Sequence, residues 1–225
     1  MDTLISSKTC PFAHRVEIVI QLSGAQVNII HTNPIFGKEG WVFDEPYDGM
    51  STLNEVYKKY STQERNFSVP VLITNGKIIT ESLEICKMLM PSLFEKEVDV
   101  SDFNTRFSKA HYMAGHTKDL EVYKSNYQLV FGYLDDLDQK ITNEISMMNI
   151  VIYCHLCRFD DIYHDLFRLN GKYIKDYPNI HRWMTHLQSI PAFADTLDIQ
   201  SAKQGYECCD YHQPDKLTPY NHTHV

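Results

Sequence analysis

Leu4-Ile5-Ser6-Ser7-Lys8-Thr9-Cys10-Pro11-Phe12-Ala13-His14-Arg15 opens the chain, and the turn inside it, SKTCPFAHR, decides how the first ninety residues fold. A short apolar run ends at Ser6, and a proline stands directly behind a cysteine. A helical spacing of apolar residues then follows (Phe12, Val16, Val19, Ile20) until Gly24. Proline suits the first turn of a helix, where its missing N–H would have no intrahelical partner. Glycine suits the end of one. The reading is a strand over 3–6, a helix over 11–23, and Cys10 capping the helix. A thiol there faces unpaired backbone N–H groups and the positive end of the helix, which lower its pKa and stabilise the thiolate. His14 and Arg15 add positive charge nearby.

The tetrad CPFA has Ala13 where a redox CxxC motif has its second cysteine. It cannot close its own disulfide, so a mixed disulfide formed on Cys10 must be released by an external thiol. The competing reading is a buried, inert cysteine; the strand–Cys-Pro–helix context favours the reactive one.

Working outward, 27–31 reads as a second strand and 34–49 as a polar, turn-rich loop. A short helix covers 53–60 and a strand 69–74. Asn75-Gly76 is a hairpin turn, 77–80 is its partner strand, and a helix over 81–90 is closed by Pro91. This βαβαββα order is that of a thioredoxin-like domain, assigned to residues 1–91. A linker covers 91–102. Helical runs then occupy 104–125, 127–141, 147–168 and 178–189, so 102–225 reads as an all-helical domain. Ser146 is expected to cap the helix that follows it, and the tail from Gln200 is expected to be an irregular wrap.

The chain has 225 residues and a formal net charge of −8, which disfavours nucleic acid or an anionic membrane as partner. No run approaches a membrane span, and the N-terminus lacks the pattern of a signal peptide. The six cysteines are therefore read as reduced thiols of a cytoplasmic protein. Cys154 and Cys157 have CxxC spacing but sit in an apolar helical run without a second ligand pair. They are read as helix-core thiols, and no metal is expected.

Two further signals fall on the first domain. In Phe67-Ser68-Val69-Pro70-Val71 a proline heads an internal strand, which suggests a cis Val69-Pro70 bond. The Val69 N–H and C=O would then be open to an extended peptide. Thr80-Glu81-Ser82 lies at a strand-to-helix junction, where backbone N–H groups and a hydroxyl can take a carboxylate and Glu81 an ammonium. A thiolate, an open strand edge and an amine–carboxylate clamp together match glutathione.

With these residues in place, the sequence resembles the glutathione transferases, and most of all their Xi class, the glutathionyl-hydroquinone reductases. CPFAHR resembles that class's CPWAHR. Gly40-Trp41-Val42-Phe43 matches its GWxF, SVPVL its TVPVLW, and Glu81-Ser82-Leu83-Glu84-Ile85 its ESxEI. Tyr112-Met113-Ala114-Gly115 resembles its VYxxGF helix, Arg158 to Tyr163 its RFDxVY, and Asp176-Tyr177-Pro178-Asn179 its DYPN. The resemblance runs from Leu4 to Tyr220. It departs at the N-terminus, where the class's long extension is almost missing, and at Asn149, where the class has an aspartate. Gly205-Tyr206-Glu207 stands for its HYY segment. The resemblance implies glutathione binding by Trp41, Val69, Pro70, Glu81 and Ser82. It implies catalysis by Cys10 with Tyr112 and Tyr206, and an acceptor pocket formed by Phe12, Tyr112, Tyr163 and Tyr206. It also implies a homodimer that uses glutathione as co-substrate on an aromatic glutathione conjugate. An omega-like dehydroascorbate reductase or deglutathionylase, and a non-catalytic binding module on the same fold, are the alternatives.

Overall fold

The computed structural model of the protein describes residues 1–61 and 68–208. The chain forms two compact units: one is Met1–Glu97 together with the segment that begins at Pro191, the other Val98–Ile190. The first unit thus reclaims a stretch that the sequence reading had placed in the helical domain.

In the first unit, β1 (Asp2–Ser6), α1 (Pro11–Ser23), β2 (Val27–His31), β3 (Val42–Tyr47), β4 (Met50–Thr52), α2 (Leu53–Tyr60), β5 (Val71–Thr74), β6 (Lys77–Ile79) and α3 (Ser82–Leu89) follow in order. The main sheet runs β2-β1-β5-β6, with β1 and β2 parallel and the other pairs antiparallel. Ile5 pairs with Val71 and Thr3 with Ile73, so the strand period of two places Ile5, Val71 and Ile73 on one face. That face packs with Leu53, Val56 and Tyr57 of α2 in one buried cluster. Leu4 and Leu72, both fully buried, point the other way.

Local chemistry explains the boundaries. Gly24 is left-handed at φ 68° and ends α1. Thr52 and Glu55 form a reciprocal capping box for α2. The loop expected over 34–49 instead holds a second, two-stranded sheet, β3–β4. Its turn is Asp48-Gly49, both at positive φ, a hairpin signal that the polar Asp44-Glu45-Pro46 run obscured. Pro70 stands just ahead of β5, which therefore begins at Val71 and not at Val69, and the Val69-Pro70 bond is cis.

The second unit is helical. It comprises α4 (Ser101–Phe103), α5 (Lys109–His116), α6 (Leu120–Lys140), α7 (Met147–Leu156), α8 (His164–Leu166) and α9 (Pro178–Gln188). Asn104–Ser108 and Phe159–Tyr163 are wide turns with one extra residue. The first break lies at 117–119, not near 126, because Asp119 caps α6 by accepting from the N–H groups of Glu121 and Val122. The helix expected over 147–168 ends at Leu156. As expected, Ser146 caps α7, accepting from Asn149 N–H at 3.2 Å. The Asn149 amide turns back to the Thr142 and Glu144 carbonyls instead.

The motifs of this unit serve packing. Asp138 accepts from the backbone N–H groups of Asn179 and Ile180 and so caps α9 at the DYPN segment. Arg158, buried at 2 % exposure, donates to the Cys154 carbonyl and to Cys157 Sγ, and Asp160 accepts from Ile174 N–H. Cys154 and Cys157 are buried helix-end thiols. Phe103, Phe107, His111, His155, Tyr163 and Phe167 interlock as an aromatic core.

The final segment rejoins the first unit with α10 (Pro191–Ala194) and α11 (Ile199–Glu207). The expected irregular wrap is a helix to Glu207, because Asp198 accepts from Ser201 N–H and caps it. The rest of the tail, with Cys209 and the end of the Xi-class resemblance at Tyr220, lies outside the described residues, as does Phe67.

Candidate active site

Cys10 is the N-cap of α1, extended at φ −87° and ψ 116°, with Pro11 in the first turn. Its N–H donates to the Ser7 carbonyl at 3.1 Å, and its carbonyl accepts from His14 N–H at 3.0 Å. The side chain makes no cap hydrogen bond. The sulfur instead sits half-buried against the apolar cluster and lies 3.6 Å from the Val69 carbonyl oxygen. Residues distant in sequence thus meet, the thiol at a helix start and the backbone just before Pro70.

Two side chains flanking the thiol in sequence have structural duties. His14 is 2 % exposed and its Nε2 lies 3.1 Å from Thr196 Oγ1. Arg15 is 3 % exposed, with its guanidinium carbon 4.7 Å from the centre of the Phe12 ring. Lys8 reaches the buried Glu17 at 2.7 Å, and Glu17 also accepts from Ser6 and His31. Burial alone would raise the Glu17 pKa. The His31 hydrogen bond and the Lys8 and His31 charges prevail and hold it at about 2.

The remaining predicted binding residues lie in the same unit. Glu81 is the N-cap of α3 and exposed, and Ser82 is its first residue and buried. Trp41 lies just ahead of β3, packed on the same apolar cluster as Cys10, with Phe36 edge-on at 5.1 Å. Its carbonyl accepts from Leu53 N–H at the start of α2. Phe12 is 41 % exposed. Tyr57 escaped the sequence reading: its hydroxyl donates to the Ser68 carbonyl at 2.9 Å and anchors the approach to Pro70. Its only signal was its buried position on α2.

The tyrosines divide. Tyr206 is on α11, in the unit that holds Cys10. Tyr112 is 47 % exposed on α5 and stacks on His116 at 3.8 Å. Gly115, one turn further on, lies against the Phe167 ring, which a Cβ there would meet at 2.5 Å. Tyr163 is fully buried, its ring 4.5 Å from His111 and 5.1 Å from Phe167. In this conformation it belongs to the aromatic core and not to an accessible pocket wall.

The family model for the glutathione S-transferase N-terminal domain matches residues 9–90. Glutathionyl-hydroquinone reductase PcpF of Sphingobium chlorophenolicum is 27% identical over 241 residues, covering 90% of this chain and 76% of that protein. Glutathione S-transferase omega-like 2 of Schizosaccharomyces pombe is 29% identical over 248 residues, covering 90% and 79%. The crystal structure of the Xi glutathione transferase from Phanerochaete chrysosporium superposes with a TM-score of 0.82 at 25% identity, covering 97% of this chain and 89% of that one. The glutathione S-transferase N-terminal match spans the Cys10–Pro11 helix start and the cis Val69-Pro70 bond, and with these relatives and this fold the chain is similar over most of its length to the glutathione transferases, the Xi class among them.

Proposed function

We propose that the protein is a cysteine-type, glutathione-dependent reductase of glutathionyl-hydroquinones. The observation that carries this reading is Cys10 at the start of α1, 3.6 Å from the Val69 carbonyl oxygen. In this reading the Val69 backbone pairs with the cysteinyl part of glutathione, Glu81 and Ser82 take its γ-glutamyl end, and Trp41 and Pro70 border it. The relation to a protein named glutathionyl-hydroquinone reductase supports the choice of acceptor.

The chemistry balances in two steps. The Cys10 thiolate attacks the glutathione sulfur of the conjugate. The sulfur–aryl bond breaks, its electron pair leaves with the aromatic carbon, and that carbon takes a proton. The products are the hydroquinone and a Cys10–glutathione disulfide. A glutathione thiolate then attacks the glutathione sulfur of that disulfide, releasing oxidised glutathione and the Cys10 thiolate. Ala13 leaves the tetrad without a resolving thiol, so the second glutathione is required. A phenol, with Tyr206 as the candidate in the unit that holds Cys10, hydrogen-bonds the quinoid oxygen and supports proton transfer.

The relation to an omega-like transferase favours one second reading, reduction of dehydroascorbate or of protein–glutathione disulfides by the same thiol. Steady-state turnover with glutathione separates the two. Efficient turnover on glutathionyl-hydroquinones supports the proposal. Good dehydroascorbate reduction with no turnover on the conjugates replaces it with the second reading.

A further inference from the structure

Gly205 lies on α11 against the turn that presents Cys10. A Cβ at this position would enter the contact distance of three atoms at once: Thr9 Oγ1, the Pro34 carbonyl oxygen and, at 3.0 Å, Thr9 Cβ. The first two are themselves partners, for Thr9 Oγ1 donates to the Pro34 carbonyl at 2.7 Å. The helix backbone therefore rests directly on a hydrogen bond that joins the residue before Cys10 to a second loop. That loop is braced along its length. Asn33 N–H donates to the Val42 carbonyl, the Asn33 side chain accepts from Ile35 N–H and donates to Asp44, and Phe36 packs edge-on against Trp41. These contacts tie the segment around Pro34 to Trp41. On the other side, α11 cannot back away without cost. Ala202, one turn earlier on the same face, is fully buried, and Asp198 fixes the start of the helix through Ser201 N–H and Oγ.

We infer that Gly205 is a positioning residue: its missing side chain lets α11 clamp the Thr9–Pro34 hydrogen bond, which holds the Cys10 turn and the Trp41 loop in one register. The tail helix thereby sets the thiol and one wall of the glutathione site together, without touching substrate. The inference rests on the proposed role of Cys10.

The test compares Gly205→Ala, Thr9→Val, Thr9→Ser and the Gly205→Ala/Thr9→Val double variant. The readouts are the pH profile of Cys10 alkylation, followed on its peptide by mass spectrometry, and KM for glutathione apart from kcat. Thr9→Val keeps the shape of threonine but cannot donate. It is expected to shift the alkylation profile and to raise KM for glutathione at least threefold, while Thr9→Ser keeps both near wild type. Gly205→Ala is expected to do the same or more, and the double variant to be no worse than Gly205→Ala alone, because both changes break one linkage. Wild-type profiles and KM in Thr9→Val and Gly205→Ala would overturn the inference. So would effects that multiply in the double variant, which would make Gly205 a packing residue of α11 only. If Gly205→Ala does not fold, the contrast of Thr9→Val with Thr9→Ser decides. Turnover that survives Cys10→Ser would instead sink the thiol reading, an outcome separate from these.

Discussion

Ser82 is the single residue on which the proposed glutathione clamp is most exposed to test. It is largely buried at the first position of α3, the helix start that would receive the γ-glutamyl carboxylate. Ser82→Ala is expected to weaken glutathione by about 1–2 kcal/mol, the scale of hydrogen bonds to a charged group. Titration calorimetry checks this, and unchanged affinity would place the γ-glutamyl end elsewhere. Tyr206 tests the acceptor side. Tyr206→Phe is expected to lower kcat on glutathionyl-hydroquinones and to leave glutathione affinity nearly unchanged, since only the phenol is removed. Equal kcat for the two proteins would remove Tyr206 from the chemistry. The helix start at Cys10-Pro11, the cis Val69-Pro70 bond and the helix start at Glu81-Ser82 were legible because each has a local backbone signal. Tyr57 and Thr9 were not, because their hydrogen bonds go to carbonyls 11 and 25 residues away.

Among the elements, α5 carries a group that makes the helical unit sensitive to acid. His111 is wholly buried between Phe107, Tyr163 and Phe167, with its Nδ1 2.9 Å from the Phe107 carbonyl. Burial disfavours its charged form and, against that hydrogen bond, brings its pKa from 6.5 down to about 4. The unfolded chain therefore binds a proton that the fold refuses. The stability contribution is fully present above pH 6.5 and is lost as pH falls through 4, about 3 kcal/mol in all. Glu17 loses its contribution lower still, as pH falls from 4.5 through 2. Urea unfolding of wild type and His111→Phe at pH 7 and pH 4.5 should show the wild type losing more stability on acidification. Parallel losses would assign the acid limb to other groups. The elements of the first unit were read well where caps are local: α1 and α2 have the expected bounds, set by Pro11, Gly24 and the Thr52–Glu55 box. Errors fell where a polar surface hid the pattern, as at β3–β4. They also fell where an aspartate cap outweighed apolar spacing, as at Asp119 and Asp198.

At the scale of the whole molecule, the order of elements carried the fold class: a mixed sheet with its helices, then a helical unit. The return of the chain at Pro191 to the first unit was not legible. It depends on contacts such as His14 with Thr196 and Thr9 with Gly205, each separated by more than 180 residues. None of the described helices is long and apolar enough to cross a membrane. The resemblance to the Xi class carries a homodimer as a proposal. Sedimentation should give a dimer at micromolar concentration, and a strict monomer would refute it.

The central claim is that the Cys10 sulfur takes the glutathionyl group from the conjugate. A single-turnover reaction tests it most directly: protein in excess over a glutathionyl-hydroquinone, with no added glutathione, quenched in acid. The account predicts that one hydroquinone is released for each glutathione found on the Cys10 peptide, with none on Cys208 and no product from Cys10→Ser. Hydroquinone release without an adduct on Cys10, or the same release from Cys10→Ser, would contradict it.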